Sequence, residues 1–171
     1  MMNIVLIGFM GVGKSAVGHL LASELKLNFL DTDELIEKTE GRSLSEIFKA
    51  SGEAYFRQVE TETLRTLQDY DNFVLSTGGG MALKEENVSL LKSLGPVILL
   101  KAEPDVVFER VKNEKHRPLL EVADPKAEIV KILEFREPFY DKAADHVVDT
   151  SKMSPEETAK EIIQWLRSKS S

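Results

Sequence analysis

"IVLIGFMGVGKSAVG", residues 4–18, carries an apolar run straight into three glycines, a lysine and a serine. The apolar run reads as a buried strand and the residues beyond Lys14 as a helix. Between them Gly8, Gly13, Lys14 and Ser15 fit the pattern G-x-x-x-x-G-K-[ST], a phosphate-binding loop in its expected setting. Phosphate oxygens need several backbone N–H groups converging on one point. Cβ atoms are therefore unwelcome and positive φ is often required, which accounts for Gly8, Gly11 and Gly13. A helix starting near Lys14 adds its unpaired N–H groups and positive dipole end. Lys14 can then place a full charge at the β- and γ-phosphates of a nucleotide, and the Ser15 hydroxyl can ligate Mg²⁺. The plainer alternative is a glycine-rich turn with an exposed lysine.

Outward from that stretch, short β-branched runs alternate with amphipathic ones. "NIVLI" (3–7), "LNFLD" (27–31), "NFVLST" (72–77), "PVILLK" (96–101) and "DHVVDT" (145–150) predict five strands. Val17, Leu21 and Leu25, and then Ile129 and Leu133, repeat at helical spacing. "SLSE" (43–46) and "SPEE" (154–157) read as capping boxes, and Pro104, Pro125 and Pro155 suit first-turn positions. The strands are mostly apolar without alternation, so both sheet faces are expected to be covered. The predicted architecture is α/β, a three-layer α/β/α sandwich around a parallel sheet. The polar segment "KNEKHRPLLEVADPK" (112–126) has weak periodicity and reads as a flap rather than a domain boundary.

The chain has 171 residues, 42% hydrophobic and 30% charged, which fits a single domain with one sizeable core. Its net charge of −7 gives no overall basic field for nucleic acid or an acidic membrane, so an anionic ligand must be attracted locally. With no cysteine, disulfides and thiolate metal sites are excluded. His19, His116 and His146 are scattered without metal-ligand spacing. The apolar start lacks a preceding positive charge and meets Lys14 too early for a signal peptide or a span, so a cytoplasmic location is expected.

Four further stretches carry chemistry. "FLDTDE" (29–34) ends the second strand with Asp31 and Asp33; two residues apart, they point to the same side if the chain stays extended, one for a metal and one for an acceptor. Equally, two acids opening a helix complement its dipole. Three glycines in "STGGGMA" (76–82) suggest close ligand approach to main-chain N–H groups, or simply a flexible loop. "GEAYFRQVE" (52–60) sets Arg57 and Glu60 one helical turn apart, either in a site or as a surface ion pair, with Phe56, Val59 and Leu67 turned to the core. In "FREPFYD" (135–141), Arg136 continues the Ile129–Leu133 stripe where an apolar residue is expected; a polar cleft and snorkelling to water both explain it. Paired guanidinium forks suit a small carboxylate acceptor.

In this order "GFMGVGKS" (8–15), "FLDTDELIE" (29–37), "GEAYFRQVE", "STGGG" (76–80), "RPLL" (117–120) and "REPFY" (136–140) resemble the shikimate kinase family over nearly the whole chain. The resemblance implies a nucleoside-monophosphate-kinase-like P-loop kinase fold with strand order 2-3-1-4-5. It also implies a monomer, with an acceptor-binding helical segment over about 33–61 and a lid over about 112–124. The implied reaction moves the ATP γ-phosphoryl group to the 3-hydroxyl of shikimate, with one Mg²⁺.

By resemblance, Gly11, Val12, Gly13, Lys14, Ser15 and Ala16 cradle the nucleotide phosphates, and Ser15 and Asp31 serve the metal. Lys14, Asp33 and Arg117 are implied to be catalytic, Asp33 as partner of the reacting hydroxyl and Arg117 as the lid arginine. Arg57 and Arg136 grip the substrate carboxylate, Gly79 and Gly80 offer backbone contacts, and Glu60 orients that shell. Arg110 and Pro155 flank adenine. Two positions depart from the pattern: Ala16 stands where many relatives carry a hydroxyl, and Lys152 where an arginine often meets the nucleotide, so both bear on nucleotide affinity. The alternatives are a gluconate-type or nucleoside monophosphate kinase, or a nucleotide-dependent binding module. No Lys-Gly-Thr follows the glycine loop and no N-K-x-D is present, which count against an adenylate kinase and a GTPase switch.

Overall fold

Asn3–Ile7 (β1), Asn28–Asp31 (β2), Phe73–Ser76 (β3), Val97–Lys101 (β4) and His146–Asp149 (β5) form one parallel sheet in the order β2-β3-β1-β4-β5. This is the architecture of a computed structural model that describes residues 2–114 and 121–171. The helices are Lys14–Leu25 (α1), Thr32–Glu40 (α2), Leu44–Leu67 (α3), Glu85–Leu94 (α4), Pro104–Val111 (α5), Pro125–Ala143 (α6) and Pro155–Lys169 (α7). A short 3₁₀ turn, Met81–Leu83, precedes α4. Leu6 and Asp31 both stand level with Ser76, so β1, β3 and β2 end at one height and deliver their following loops to one edge. The chain leaves β1 for neighbours on both sides, and ligands of open α/β sheets bind where such connections part.

Every residue of β1 and β3 is buried, as is β4 up to Lys101, so the uninterrupted apolar runs do mark strands covered on both faces. The edge strands β2 and β5 are only partly covered, because each has a strand on one side alone. No helix among the described residues is long and apolar enough to cross a membrane.

Local chemistry sets the helix ends. Pro104, Pro125 and Pro155 each occupy a first-turn position. Ser154 and Glu157 form a reciprocal capping box; at Ser43 the hydroxyl accepts the Glu46 N–H, but the return bond is missing. Helix α3 is broken at Gly52, whose φ of 84° and ψ of 171° leave the helical region. Before this break, Leu44 and Ile47 join Ile36, Phe56 and Val59 in a small hydrophobic cluster separate from the main core. Residues 33–61 thus fall on α2, α3 and the turn between them, whereas 115–120 of the expected flap lie outside the described residues.

Candidate active site

The loop after β1 is built as its glycines require. Gly8, Gly11 and Gly13 have φ of 144°, 73° and 100°, and a Cβ on Gly8 would stand 2.3 Å from the Leu100 carbonyl oxygen. Gly13 caps α1, and Lys14 is its first residue. The Lys14 ammonium curls over the loop and donates to the Gly8 and Phe9 carbonyls at 2.6 and 2.8 Å. Val12 turns its side chain into the core, so only its main chain can meet a ligand.

The outer flank of the loop is pinned by Thr150, a residue that no sequence motif marks. Its hydroxyl donates to the Val12 carbonyl at 2.9 Å. Arg110 donates to the carbonyls of Gly11 (3.1 Å) and Thr150 (2.8 Å), tying α5 and the β5–α7 connection to the phosphate loop. Lys152 and Pro155 lie exposed in and after that connection. Arg110, Lys152 and Pro155 stand outside the cleft described next.

The loop opens into a cleft of about 430 Å³. Gly11, Gly13, Lys14, Ser15 and Ala16 line one wall; Asp31, Asp33, Arg57, Glu60, Gly79, Gly80 and Arg136 line the others. Residues from five separate stretches of sequence therefore converge. Arg117 lies outside the described residues, as does His116. The other two histidines pack on rings, His19 tilted against Phe29 and His146 stacked on Trp165.

The two aspartates are arranged differently from the extended pair expected. Asp31 ends β2 with β geometry, and its Oδ1 accepts the N–H groups of Asp33 (2.8 Å) and Glu34 (3.2 Å) as the cap of α2. Asp33 is consequently a helical residue rather than part of an extended chain. Capping wins because the strand ends where α2 needs an acceptor for its first N–H groups. Asp31 thus complements the helix and lines the cleft together, the two readings being compatible. Between the aspartates Thr32 is fully buried, and its hydroxyl accepts the Gly78 N–H at 2.9 Å, joining the β2–α2 corner to the glycine run.

That run is ordered by its neighbours. Thr77 bonds the Leu6 carbonyl through both its N–H (3.1 Å) and its hydroxyl (2.9 Å). Tyr140, from α6, donates its phenolic hydrogen to the Gly79 carbonyl at 2.6 Å, and burial pushes its phenol up. A Cβ on Gly80 would fall 2.7 Å from the Arg57 guanidinium, and one on Gly78 would fall 3.0 Å from Asp33 and 3.2 Å from Glu60. The glycines thus let a charged shell close around the main chain.

Arg57 and Glu60 do not form a surface ion pair. The Glu60 side chain is fully buried and accepts from Arg57 Nη1 at 2.7 Å, while its Oε2 has no hydrogen-bond partner among the described residues. Burial raises the Glu60 carboxyl above its ordinary range, only partly opposed by Arg57, and the charge of Asp33 pushes the same way. Burial alone would lower Arg57, but Glu60 and Glu53 hold its guanidinium above the usual value. Arg136 lies over the Phe9 ring, 5.6 Å from its centroid, and faces the cleft instead of snorkelling away. Two forks and a phosphate cradle in one cleft can hold a small carboxylate beside a polyphosphate.

The shikimate kinase family model matches residues 10–167. The chain belongs to the shikimate kinase family. A shikimate kinase of Pelotomaculum thermopropionicum is 49% identical over 167 residues, covering 98% of this chain and 96% of that protein. Among solved structures, the shikimate kinase from Acinetobacter baumannii in complex with shikimate superposes with a TM-score of 0.93 at 36% identity, covering 99% of this chain and 94% of that one. The shikimate kinase from Aquifex aeolicus gives 0.86 at 43% identity, covering 99% and 98%. For a shikimate kinase family member, the P-loop kinase fold and strand order expected from the resemblance are both present.

Proposed function

We propose that this shikimate kinase family member transfers the γ-phosphoryl group of ATP to the 3-hydroxyl of shikimate, releasing shikimate 3-phosphate and ADP. The observation that carries this reading is the sharing of one cleft by the Gly11–Ala16 loop and the Asp33, Arg57 and Arg136 side chains. An open αβ sheet alone would fit many phosphate ligands; a double guanidinium fork facing the phosphate cradle selects a carboxylate-bearing acceptor.

In the proposed mechanism Arg57 and Arg136 grip the acceptor carboxylate, with Gly79 and Gly80 contacting its body. Asp33 accepts a hydrogen bond from the reacting hydroxyl and aligns it with the γ-phosphorus. Lys14, leaving its loop carbonyls, shifts its charge to the β- and γ-oxygens, and Arg117 adds charge as the phosphoryl group moves in line. Glu60 keeps Arg57 in place. Arg110 and Pro155 flank the base, beside Lys152. Residues 33–61 act as the acceptor segment and 112–124 as a lid that excludes water once both substrates are held.

The oxygen donors present suit Mg²⁺: Ser15 lies in the first turn of α1, and Asp31 spends Oδ1 on its cap while retaining a second oxygen for a hydrated cation. The ion, when bound with ATP, would neutralise charge across the phosphates. Ser15 and Asp31 would hold it.

ADP release measured with ATP alone and with ATP plus shikimate tests the proposal. Strong dependence on shikimate is expected, and equal rates would overturn it. A panel including gluconate and nucleoside monophosphates separates the other small-molecule kinases.

A further inference from the structure

A second hollow, of about 690 Å³, adjoins the cleft at the guanidinium pair and is lined by no residue of the phosphate loop. Arg57, Gly80 and Arg136 line both hollows and form the partition between them. Two features distinguish the outer groove. Its floor is apolar, made by Leu83, Ile132 and Phe135, and Phe135 is 64% exposed beside Phe139, with ring centroids 5.7 Å apart. Its rim adds Lys84 and Lys131 to the two arginines, against Glu53 as the single acid in the lining.

A chain of net charge −7 therefore concentrates four cations around one apolar floor. Glu53 lies 3.5 Å from Arg57, and Lys84 donates to Thr61 at 2.9 Å with Glu86 3.6 Å away. Lys131 is exposed with no ion pair among the described residues. Water alone is a poor match for such a floor, and a fully ionic ligand would leave Phe135 uncovered. An anion carrying a ring or hydrocarbon body satisfies both, with its carboxylate at the Lys131–Lys84 rim and its body over Phe135 and Ile132.

We propose that this groove is a second ligand site, for a small amphiphilic carboxylate, built against the back of the Arg57–Arg136 partition. A carboxylate here draws the guanidinium groups outward, away from the inner cleft. Occupancy of the two sites is then antagonistic, a consequence that rests on the acceptor reading above, whereas the groove itself does not.

The test titrates the full chain, free of ATP and shikimate, with 3-phenylpropionate, followed by ¹H–¹⁵N shifts and calorimetry. Saturable shifts centred on Leu83, Ile132 and Phe135 are expected, with neutral 3-phenylpropan-1-ol giving none. Lys131→Glu should weaken binding by about tenfold, or 1.4 kcal/mol. Phe135→Ala should weaken it independently of charge, and both variants replace exposed residues and keep basal turnover. Shifts confined to the inner cleft, or affinity indifferent to Lys131→Glu and Phe135→Ala, would overturn the proposal. In the turnover assay the probe should raise the shikimate KM in the parent chain and not in Lys131→Glu. An unchanged shikimate KM with intact groove binding would overturn the antagonism, whereas ADP release that does not depend on shikimate would count against the acceptor reading alone.

Discussion

The Asp31 carboxylate accepts the main-chain N–H of Asp33 at 2.8 Å, so one acid of the pair holds the other in place. Capping and metal chemistry are thereby separable by substitution. Asp31→Asn retains an N-cap acceptor and should leave stability nearly unchanged while activity at limiting Mg²⁺ falls. Asp31→Ala should lose the cap as well, about 1 kcal/mol. Denaturation midpoints beside Mg²⁺-dependent rates check this; equal stability losses in both variants would contradict it.

Glu60 makes stability depend on pH with a definite sign. Its carboxyl is raised in the folded chain, so the folded state keeps this proton to higher pH than the unfolded state does. Its contribution therefore falls as pH rises from the ordinary carboxylate value towards the raised one, and the burial penalty is fully present above that. Relative to the parent chain, Glu60→Gln should gain stability as pH increases through this window. Midpoints measured from about pH 4 to pH 8 would show the difference, and a flat difference would refute it.

Tyr140 is the only described side chain that donates to the Gly79 carbonyl. Tyr140→Phe keeps the ring and removes the bond, and about 1 kcal/mol of stability should be lost. The shikimate KM should rise with kcat little changed, because the altered wall touches bound acceptor rather than the transferring group. An unchanged KM would detach Tyr140 from the acceptor site.

Gly80→Ala places a methyl 2.7 Å from the Arg57 guanidinium, at the far end of a flexible side chain. Gly80 already has φ of −96°, so the backbone tolerates alanine and the fold should be nearly as stable. Arg57 should be pushed aside, raising the shikimate KM. A large drop in melting temperature instead would show that the loop, and not the arginine, yields.

Arg117→Ala should lower kcat by about 10³-fold if that arginine neutralises the moving phosphoryl group. Arg136→Ala should act mainly on shikimate KM. The contrast between the two, read from steady-state kinetics, separates a charge needed during transfer from one needed for binding.

From the linear chain alone come the five strands, the phosphate loop with its positive-φ glycines, the proline and serine helix starts and the family. Each depends on residues within a few positions of one another, where backbone sterics, capping and periodicity act. Tertiary structure alone decided that Glu60 is buried with one oxygen unpartnered among the described residues, and that Arg57 and Arg136 share the cleft of the phosphate loop. It also supplied the braces: Thr32 to Gly78, Tyr140 to Gly79 and Thr150 to Val12, separated by 46, 61 and 138 residues. Hydroxyl groups of this kind carry no periodic signal. Their partners are set by parallel register, which brings the carboxyl ends of distant strands to one edge and leaves each loop to be satisfied by whatever the neighbouring crossover delivers.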